Sequence, residues 1–353
     1  MSVPNSESID VKPRLSICIA TYNRGQYIGE TLDSIIALLV PGVEIIVVDG
    51  ASTDKTADIM AGYVSRSSQI RYFRESQNSG VDGDYDKAVG YAKGGYCWLM
   101  TDDDLLKPDA IKSVLEAITG EFDLIVVNSE VRDTNFKELV VERKLAFNSD
   151  RIYEIDGNNK FFEEVAIYLS FIGCVVVQRE IWLARERKSF YGTLFIHMGV
   201  IFQEPLLDKV KVIAEPLIII RYGNAMWTPR SFEIWMFKWP ELIWSFSGFP
   251  DDVKQKICSR EPWRSSKRLL NYRATGAYTF DVFKKFIAPR TQGLHFVSAF
   301  VVSIFPASLA NMLAIMYIAL SNKDAGLVLY DLLHTKHTTR ISHFLAKFVK
   351  LNL

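Results

Sequence analysis

Apolar and polar positions alternate in blocks along the first 130 residues. LSICIAT (15–21) and VEIIVVD (43–49) are continuous apolar runs of strand length, as expected of strands covered on both faces. Between them, Ile28, Leu32, Ile35, Ile36 and Leu39 recur at a helical period, and Pro41-Gly42 ends that helix. The rhythm continues with a helix burying Ile59, Met60, Tyr63 and Val64, a short strand IRYF (70–73), and a helix over 84–93 with Tyr85, Ala88, Val89 and Ala92 inward. Strand YCWLMT (96–101) follows, then a helix opened by Pro108 that buries Ile111, Val114, Leu115 and Ile118, then strand DLIVVN (123–128). Alternation of this kind predicts an α/β fold, with a mostly parallel sheet and helices on both faces. A ligand then sits beyond the carboxyl ends of the strands.

The pattern weakens after residue 130. IGCVVVQ (172–178) and PLIIIRY (216–222) are further strands, and 226–290, rich in Trp, Phe and Lys, reads as helices with loops. From Thr291 to Asn322 there is no charged residue, but Pro306 interrupts the run, so two shorter helices are expected rather than one span. In the tail, Ile341, Phe344, Leu345 and Phe348 share one helical face, opposite Arg340, His343, Lys347 and Lys350. A basic amphipathic helix of this kind lies on anionic membranes. The helical region 226–353 is therefore expected to touch a membrane surface.

Composition narrows the picture. The 353 residues are 49% hydrophobic and 23% charged, a balance that builds a core and excludes disorder. Lys plus Arg and Asp plus Glu both number 41, so nothing draws the chain to nucleic acid. Cys18, Cys97, Cys174 and Cys258 match no zinc or CxxC spacing and read as buried thiols of a reducing compartment. The polar start MSVPNSESIDVKPR lacks a signal-peptide core, which points to the cytoplasm, on the inner face of the cytoplasmic membrane.

Candidate chemistry gathers where strands end. Asp49 closes the second strand in DGASTD (49–54), and Asp102, Asp103 and Asp104 follow the strand CWLM. Three adjacent carboxylates repel one another, and a site that keeps them ionised needs a cation; hard oxygen ligands favour Mg²⁺ or Mn²⁺. The competing reading is a solvated turn that caps the Pro108 helix. No Walker loop or GxGxxG follows the first strand, which ends in TYNRGQY (21–27), so nucleotide kinases and dinucleotide dehydrogenases are disfavoured.

The ordered set LSICIATYNR, VEIIVVDGASTD and NSGVDGDYDKAVGYAKGGYCWLMTDDDLLKPDAI resembles the family 2 glycosyltransferases of GT-A fold, over about 14–225 and most densely in 14–130. GYCWLMTDDD and TDDDLLKPDAI resemble the bacterial O-antigen abequosyltransferase-like members, which implies a dideoxyhexose donor. The resemblance implies a nucleotide-sugar half (14–128) and an acceptor half (129–225). It places Ala20, Thr21, Tyr22 and Arg24 in the nucleotide pocket, with Asp49 on the base and Asp54 beside the nucleotide. It brings Asp102 near the ribose and gives the metal to Asp103 of the DXD-like motif, with Asp104 in support. The implied reaction is inverting, metal-dependent transfer from a nucleotide-diphosphate sugar to an oligosaccharide acceptor. The membrane-leaning tail favours a lipid-linked one.

Two departures from the family pattern stand out. Tyr85 and Asp86 occupy the place of an Arg-Asn pair, putting another acid by the donor. FYGTLFIHMGVIFQEPLL (190–207) lacks the family's Glu-Asp pair, so His197 is the candidate base, with Glu204 a rival. Arg221 and Trp227, after the last strand, are candidates for phosphate or acceptor contact. Trp235, Trp239 and Trp244 suit core or membrane-interface packing. Three alternatives stay open: a sugar-nucleotide binder without transfer activity, a nucleotidyltransferase, and a membrane-associated interaction protein.

Overall fold

Among the described residues ten strands form one sheet: β1 (Leu15–Thr21), β2 (Val43–Asp49), β3 (Ile70–Arg74), β4 (Tyr96–Met100), β5 (Leu105–Leu106), β6 (Leu124–Arg132), β7 (Leu139–Val141), β8 (Arg151–Glu154), β9 (Val175–Gln178) and β10 (Lys209–Arg221). The computed structural model describes residues 12–226, 228–321 and 326–349. The chain divides into two units, one made of the chain up to Glu130 with Arg143–Arg221, the other of Val131–Glu142 with the chain from Tyr222 onward. The segment Val131–Glu142, which the sequence reading placed within 129–225, groups with the second unit.

The strand order is β3-β2-β1-β4-β9-β6-β10-β5, with β7 on β6 and β8 on β10. β1 runs parallel to both β2 and β4, and β2 to β3, so their carboxyl ends share one edge. Every residue of β1 and β2 is buried, as their unbroken apolar runs require. β9 is antiparallel to β4 and β6, a direction that hydrophobic periodicity does not encode.

Helices α1 (Ile28–Ile36), α2 (Thr56–Val64), α3 (Val81–Tyr91), α4 (Ala110–Ala117), α5 (Asn158–Val165), α6 (Arg179–Ala184) and α7 (Ile196–Phe202) complete the unit. Leu32 and Ile35 of α1 and Val114 of α4 join Ile17, Ile45 and Trp98 in one core. Full burial of each such side chain contributes about 1.5–3 kcal/mol. Pro108 does not open α4 as expected. The short β5 pairs with β10, and Lys107 N–H bonds Leu217 O at 2.9 Å, which holds the chain extended past the point where a helix would begin.

Two acids of α3, one turn apart, fasten the segment before α7. Asp82, 3% exposed, accepts the backbone N–H groups of Gly192 (2.8 Å), Leu194 (2.9 Å) and Ile196 (3.1 Å). Asp86 accepts from the Trp182 indole (2.9 Å), Arg187 Nε (2.7 Å) and the Tyr191 hydroxyl (2.6 Å).

The second unit is largely helical. Helices Gly293–Ile304 and Ala307–Ser321 meet at Phe305-Pro306 with a bend of 103°, the break expected of Pro306. Among the described residues no single helix is long and apolar enough to cross a membrane, although this bent pair meets the length and composition of a broken span. Inward, Ala310, Ala314, Ile315 and Ile318 pack with Leu329, Leu332 and Val349. Outward, Leu294 is 88% exposed and Leu320 78%, alongside exposed Val297, Val301, Leu309 and Leu313. Helix Arg340–Ala346 likewise turns Ile341 and Phe344 to solvent, and Phe348 just beyond it is exposed too; Lys350 lies outside the described residues. All four cysteines are free and buried.

Asp82→Ala leaves three backbone donors without their carboxylate. Its expected cost is at least about 2 kcal/mol. Urea unfolding should show that loss, and hydrogen exchange should accelerate at Gly192, Leu194 and Ile196 before the rest of the unit.

Candidate functional site

The parallel register builds the site. It sets Thr21 beside Asp49 and Ile19 beside Met100, so the chain leaves β1, β2 and β4 at one edge. The turns after β1 and β2 are laced together. Asn23 N–H bonds Ser52 Oγ at 2.8 Å, and Asn23 Oδ1 accepts from Thr53 N–H at 2.7 Å. Asp54 takes Gly25 N–H at 2.9 Å on one oxygen, and Thr56 N–H and hydroxyl at 3.0 and 2.6 Å on the other. Its modest burial would raise its pKa, but the bonds from Thr56 and Gly25 outweigh that and hold it below the ordinary carboxylate value. Asp54 is thus a fastener of the turn that presents Arg24.

Asp49 is fully buried, with Oδ1 on Ser52 N–H (2.8 Å) and Oδ2 on the Tyr72 hydroxyl (2.5 Å). Burial and that bond push the Tyr72 phenol well up. Ser52 and Tyr72 hold Asp49, whereas Arg24, Arg221 and Thr101 hold the carboxylates of the 102–104 triplet. Ala20 and Thr21 line the buried strand end, and Tyr22 is half-buried.

The triplet is no solvated cap. Asp102 and Asp103 side chains are 13% and 14% exposed, and β5 separates them from α4. Arg24 bridges them, its Nε 3.2 Å from Asp102 Oδ1 and its Nη2 against Asp103 Oδ2. Tyr27 carries the Arg24 guanidinium at 4.6 Å and that of Arg221 at 4.9 Å from its ring centre. Arg221 donates to Asp103 O at 2.9 Å and pairs with Glu30, so the guanidinium expected to meet phosphate lies against the triplet.

Burial, then the Asp103 charge, pushes Asp102 up to about 7, although Arg24 opposes both. Burial and the same neighbour raise Asp104 well above the usual range.

The carboxylates of Asp102 and Asp103 converge on one cationic centre, as a hard divalent ion held by one or two carboxylates and substrate phosphates requires. The donor set therefore fits Mg²⁺ or Mn²⁺. Among the described residues no three acid, His or Cys side chains form a ready-made metal cluster. Asp104, the other expected ligand, has both oxygens engaged. It is 2% exposed, one oxygen takes Arg221 N–H at 2.7 Å and the other the Thr101 hydroxyl, so it ties β4 to β10.

Two further candidates have their side chains engaged within the protein. His197 is fully buried, its Nε2 2.7 Å from Leu169 O, and burial lowers its pKa to about 4. An imidazole so enclosed, and so lowered, is poorly placed to take a proton from an acceptor hydroxyl. The Asp86 carboxylate is engaged by Trp182, Arg187 and Tyr191, as described above. Trp227 lies outside the described residues. Glu204 precedes a cis proline, Pro205, on a loop after α7.

Sequence reasoning missed Tyr27, Tyr72 and Asp84. Asp84, 2% exposed, accepts from Ser79 Oγ at 2.6 Å, and burial raises its pKa. A Cβ on Gly50 would come within 2.5 Å of Asp84 Oδ2, so a glycine directly after Asp49 was the available signal. Nothing local marks Tyr27, because Arg221 comes from a distant strand.

Because Asp102 holds its proton to about 7 when folded against 3.8 ordinarily, its contribution to stability falls as pH rises through that interval. Asp102→Asn removes this dependence. The melting temperature of the variant minus that of the wild type is expected to grow between about pH 4.5 and about pH 7.5. A constant difference across that range would contradict the buried, proton-holding state.

Comparison with known proteins agrees with this geometry. Residues 16–174 match the family Glycosyl transferase family 2. Abequosyltransferase RfbV of Salmonella typhimurium is 28% identical over 227 residues, covering 60% of this chain and 67% of its own. The S. aureus protein TarS, solved with UDP, superposes with a TM-score of 0.53 at 14% identity, over 95% of this chain and 90% of that one. Mannosyltransferase PcManGT from Pyrobaculum calidifontis, solved with GDP-Man and Mn²⁺, gives 0.53 at 14% identity, over 96% and 86%. At such identity these two structures establish the GT-A-like fold alone. With the strand-end acids in place and the family match running from β1 to the residue before β9, the segment 16–174 is a family 2 glycosyl transferase domain.

Proposed function

We propose that this protein moves a sugar, hexosyl or dideoxyhexosyl, from a nucleotide-diphosphate sugar to a lipid-linked glycan, as in O-antigen or similar surface polysaccharide synthesis. The observation that carries this is the convergence of Asp102 and Asp103 on one cationic centre at the carboxyl edge of a glycosyl transferase domain. Mg²⁺ or Mn²⁺ held by Asp103 with Asp102 would supply Lewis-acid stabilisation of charge on the departing diphosphate. Arg24 and Arg221, both stacked on Tyr27, place fixed positive charge at the same edge. Ala20, Thr21 and Tyr22 line the nucleotide side. Asp49, held by Ser52 and Tyr72, fixes the wall that meets the base. The abequosyltransferase relative supports a dideoxyhexose donor. The UDP and GDP-Man complexes of TarS and PcManGT support a nucleotide-sugar donor.

The enclosed His197 favours a second reading, in which the sugar nucleotide is held without transfer. Acceptor-dependent release of nucleoside diphosphate separates the two, since the binding-only reading allows none.

The outward apolar faces of the second unit support docking on an anionic membrane surface. From Lys284 to Val349 the chain carries Lys284, Lys285, Arg290, Lys323, Lys336, Arg340 and Lys347 against Asp324 and Asp331. Cationic charge along the same stretch of chain as exposed Leu294, Val301, Ile341 and Phe344 is the chemistry of a peripheral membrane face.

Two outcomes follow. A thermal-shift screen of nucleoside diphosphates with Mn²⁺ should show one base stabilising the protein by about 2–3 kcal/mol near a hundredfold excess over its dissociation constant. Asp103→Asn should abolish the metal-dependent part and lower transfer at least about a hundredfold. For the membrane, full-length protein should co-sediment with vesicles containing phosphatidylglycerol, and Leu294→Glu with Phe344→Glu should weaken partition at least about tenfold. Equal partition of variant and wild type would refute docking through this face.

A further inference from the structure

We infer that Arg24 reserves the Asp102–Asp103 pair for a divalent cation that arrives together with a diphosphate. This role rests on the donor reading above and adds to it the residue that sets what the pair accepts. Two carboxylates share a cation best at the point on which both converge. Arg24 holds that point, its Nε 3.2 Å from Asp102 Oδ1 and its Nη2 against Asp103 Oδ2. A divalent ion and a guanidinium repel one another there, so the ion must take those oxygens from Arg24.

The surroundings let the side chain change partners while its backbone stays fixed. Arg24 N–H is tied to Thr56 Oγ1 at 3.2 Å, and the N–H groups of Asn23 and Gly25 on either side are bonded to Ser52 and Asp54. The Tyr27 ring, its centre 4.6 Å from the guanidinium carbon, supports the cation independently of the carboxylates. The charge therefore stays at this edge while its hydrogen bonds are exchanged. Arg221 stands differently: its Nε meets the Asp103 carbonyl at 2.9 Å, its backbone N–H meets Asp104 at 2.7 Å, and its Nη2 pairs with Glu30.

Charge decides the consequence. With Arg24 bonded to both, the carboxylates already have a cation, and a bare divalent ion gains the pair only by displacing one positive charge with another. A diphosphate changes the balance. It brings anionic oxygens for the metal and also for the released guanidinium, whose forked donors match phosphate. The pair therefore disfavours free metal and takes it up with nucleoside diphosphate. In thermodynamic terms, Arg24 creates positive coupling between the two ligands.

The test compares Mn²⁺ binding to full-length wild type, Arg24→Gln and Arg24→Lys by electron paramagnetic resonance, first without nucleotide and then with UDP, CDP, GDP and dTDP in turn. Without nucleotide, Arg24→Gln is expected to bind Mn²⁺ at least about tenfold more tightly than the wild type. Arg24→Lys should fall between them, since an ammonium keeps the charge but lacks the fork that bridges two carboxylates. At least one nucleotide should raise the Mn²⁺ affinity of the wild type, by a factor at least about tenfold greater than in Arg24→Gln. A second measurement observes the unaltered protein. In heteronuclear NMR spectra the Arg24 Nε–H resonance, assigned by its loss in Arg24→Lys, should shift when Mg²⁺ and that nucleotide are added together, and stay in place at the same concentration of Mg²⁺ alone. Equal Mn²⁺ affinity of wild type and Arg24→Gln, or an Arg24 resonance that does not move with both ligands bound, overturns this role and leaves the donor reading intact. Failure of all three proteins to bind Mn²⁺, with or without nucleotide, overturns both.

Discussion

Mutual repulsion among three consecutive carboxylates is the constraint around which the first unit's site is arranged. Two like charges about 4 Å apart cost about 4 kcal/mol at an effective dielectric of 20. The chain relieves this in two ways. Asp102 and Asp103 share the Arg24 guanidinium, and Asp104 is turned inward onto Arg221 N–H and the Thr101 hydroxyl. Arg24 must therefore be held in place, and that task accounts for the lacing of the 21–25 turn to 50–56 through Asn23, Asp54 and Thr56. Burial first, and then the Asp103 charge, leaves Asp102 and Asp104 reluctant to ionise.

A second group of acids shows how charge can serve structure alone. The first turns of α3 carry Asp82, Asp84 and Asp86, near enough to the strand ends to read as donor ligands in sequence. In space Asp82 and Asp86 hold the chain from Trp182 to Ile196. They compensate for a segment that lacks regular secondary structure over much of its length, where backbone donors would otherwise go unpaired. Asp84, on another face of the helix, reaches the wall beside Gly50.

The second unit solves a different problem. Its helices bury small residues such as Ala310 and Ala314 inward and leave Leu294, Val301 and Leu320 outward. Buried polar groups lock it: Asn311 donates to Leu332 O at 2.8 Å and accepts from the Ser342 hydroxyl at 2.7 Å. Such bonds lie within a core that also holds large apolar side chains, among them Ile315, Leu329 and Phe283, while Leu294 and Leu320 stay exposed.

The sequence by itself determined the strands that frame the site. Runs such as 15–21 and 43–49 are apolar throughout because both faces are covered, and their length and ends can be read without a partner. It also placed the break at Pro306, since a ring without an N–H interrupts a helix wherever it falls. The tertiary structure alone decided which carboxylates face one another. Asp86 and Asp102 look alike in sequence, and only the packing of α3 against the 182–196 segment separates their roles. His197 sat at a plausible distance along the chain, yet α7 is buried on every side, and no local pattern distinguishes a fully enclosed short helix from one that borders a cleft. Tyr27 acquires its place from Arg221, nearly two hundred residues away, because a contact made by the folding of one sheet leaves no trace in the neighbours of either residue.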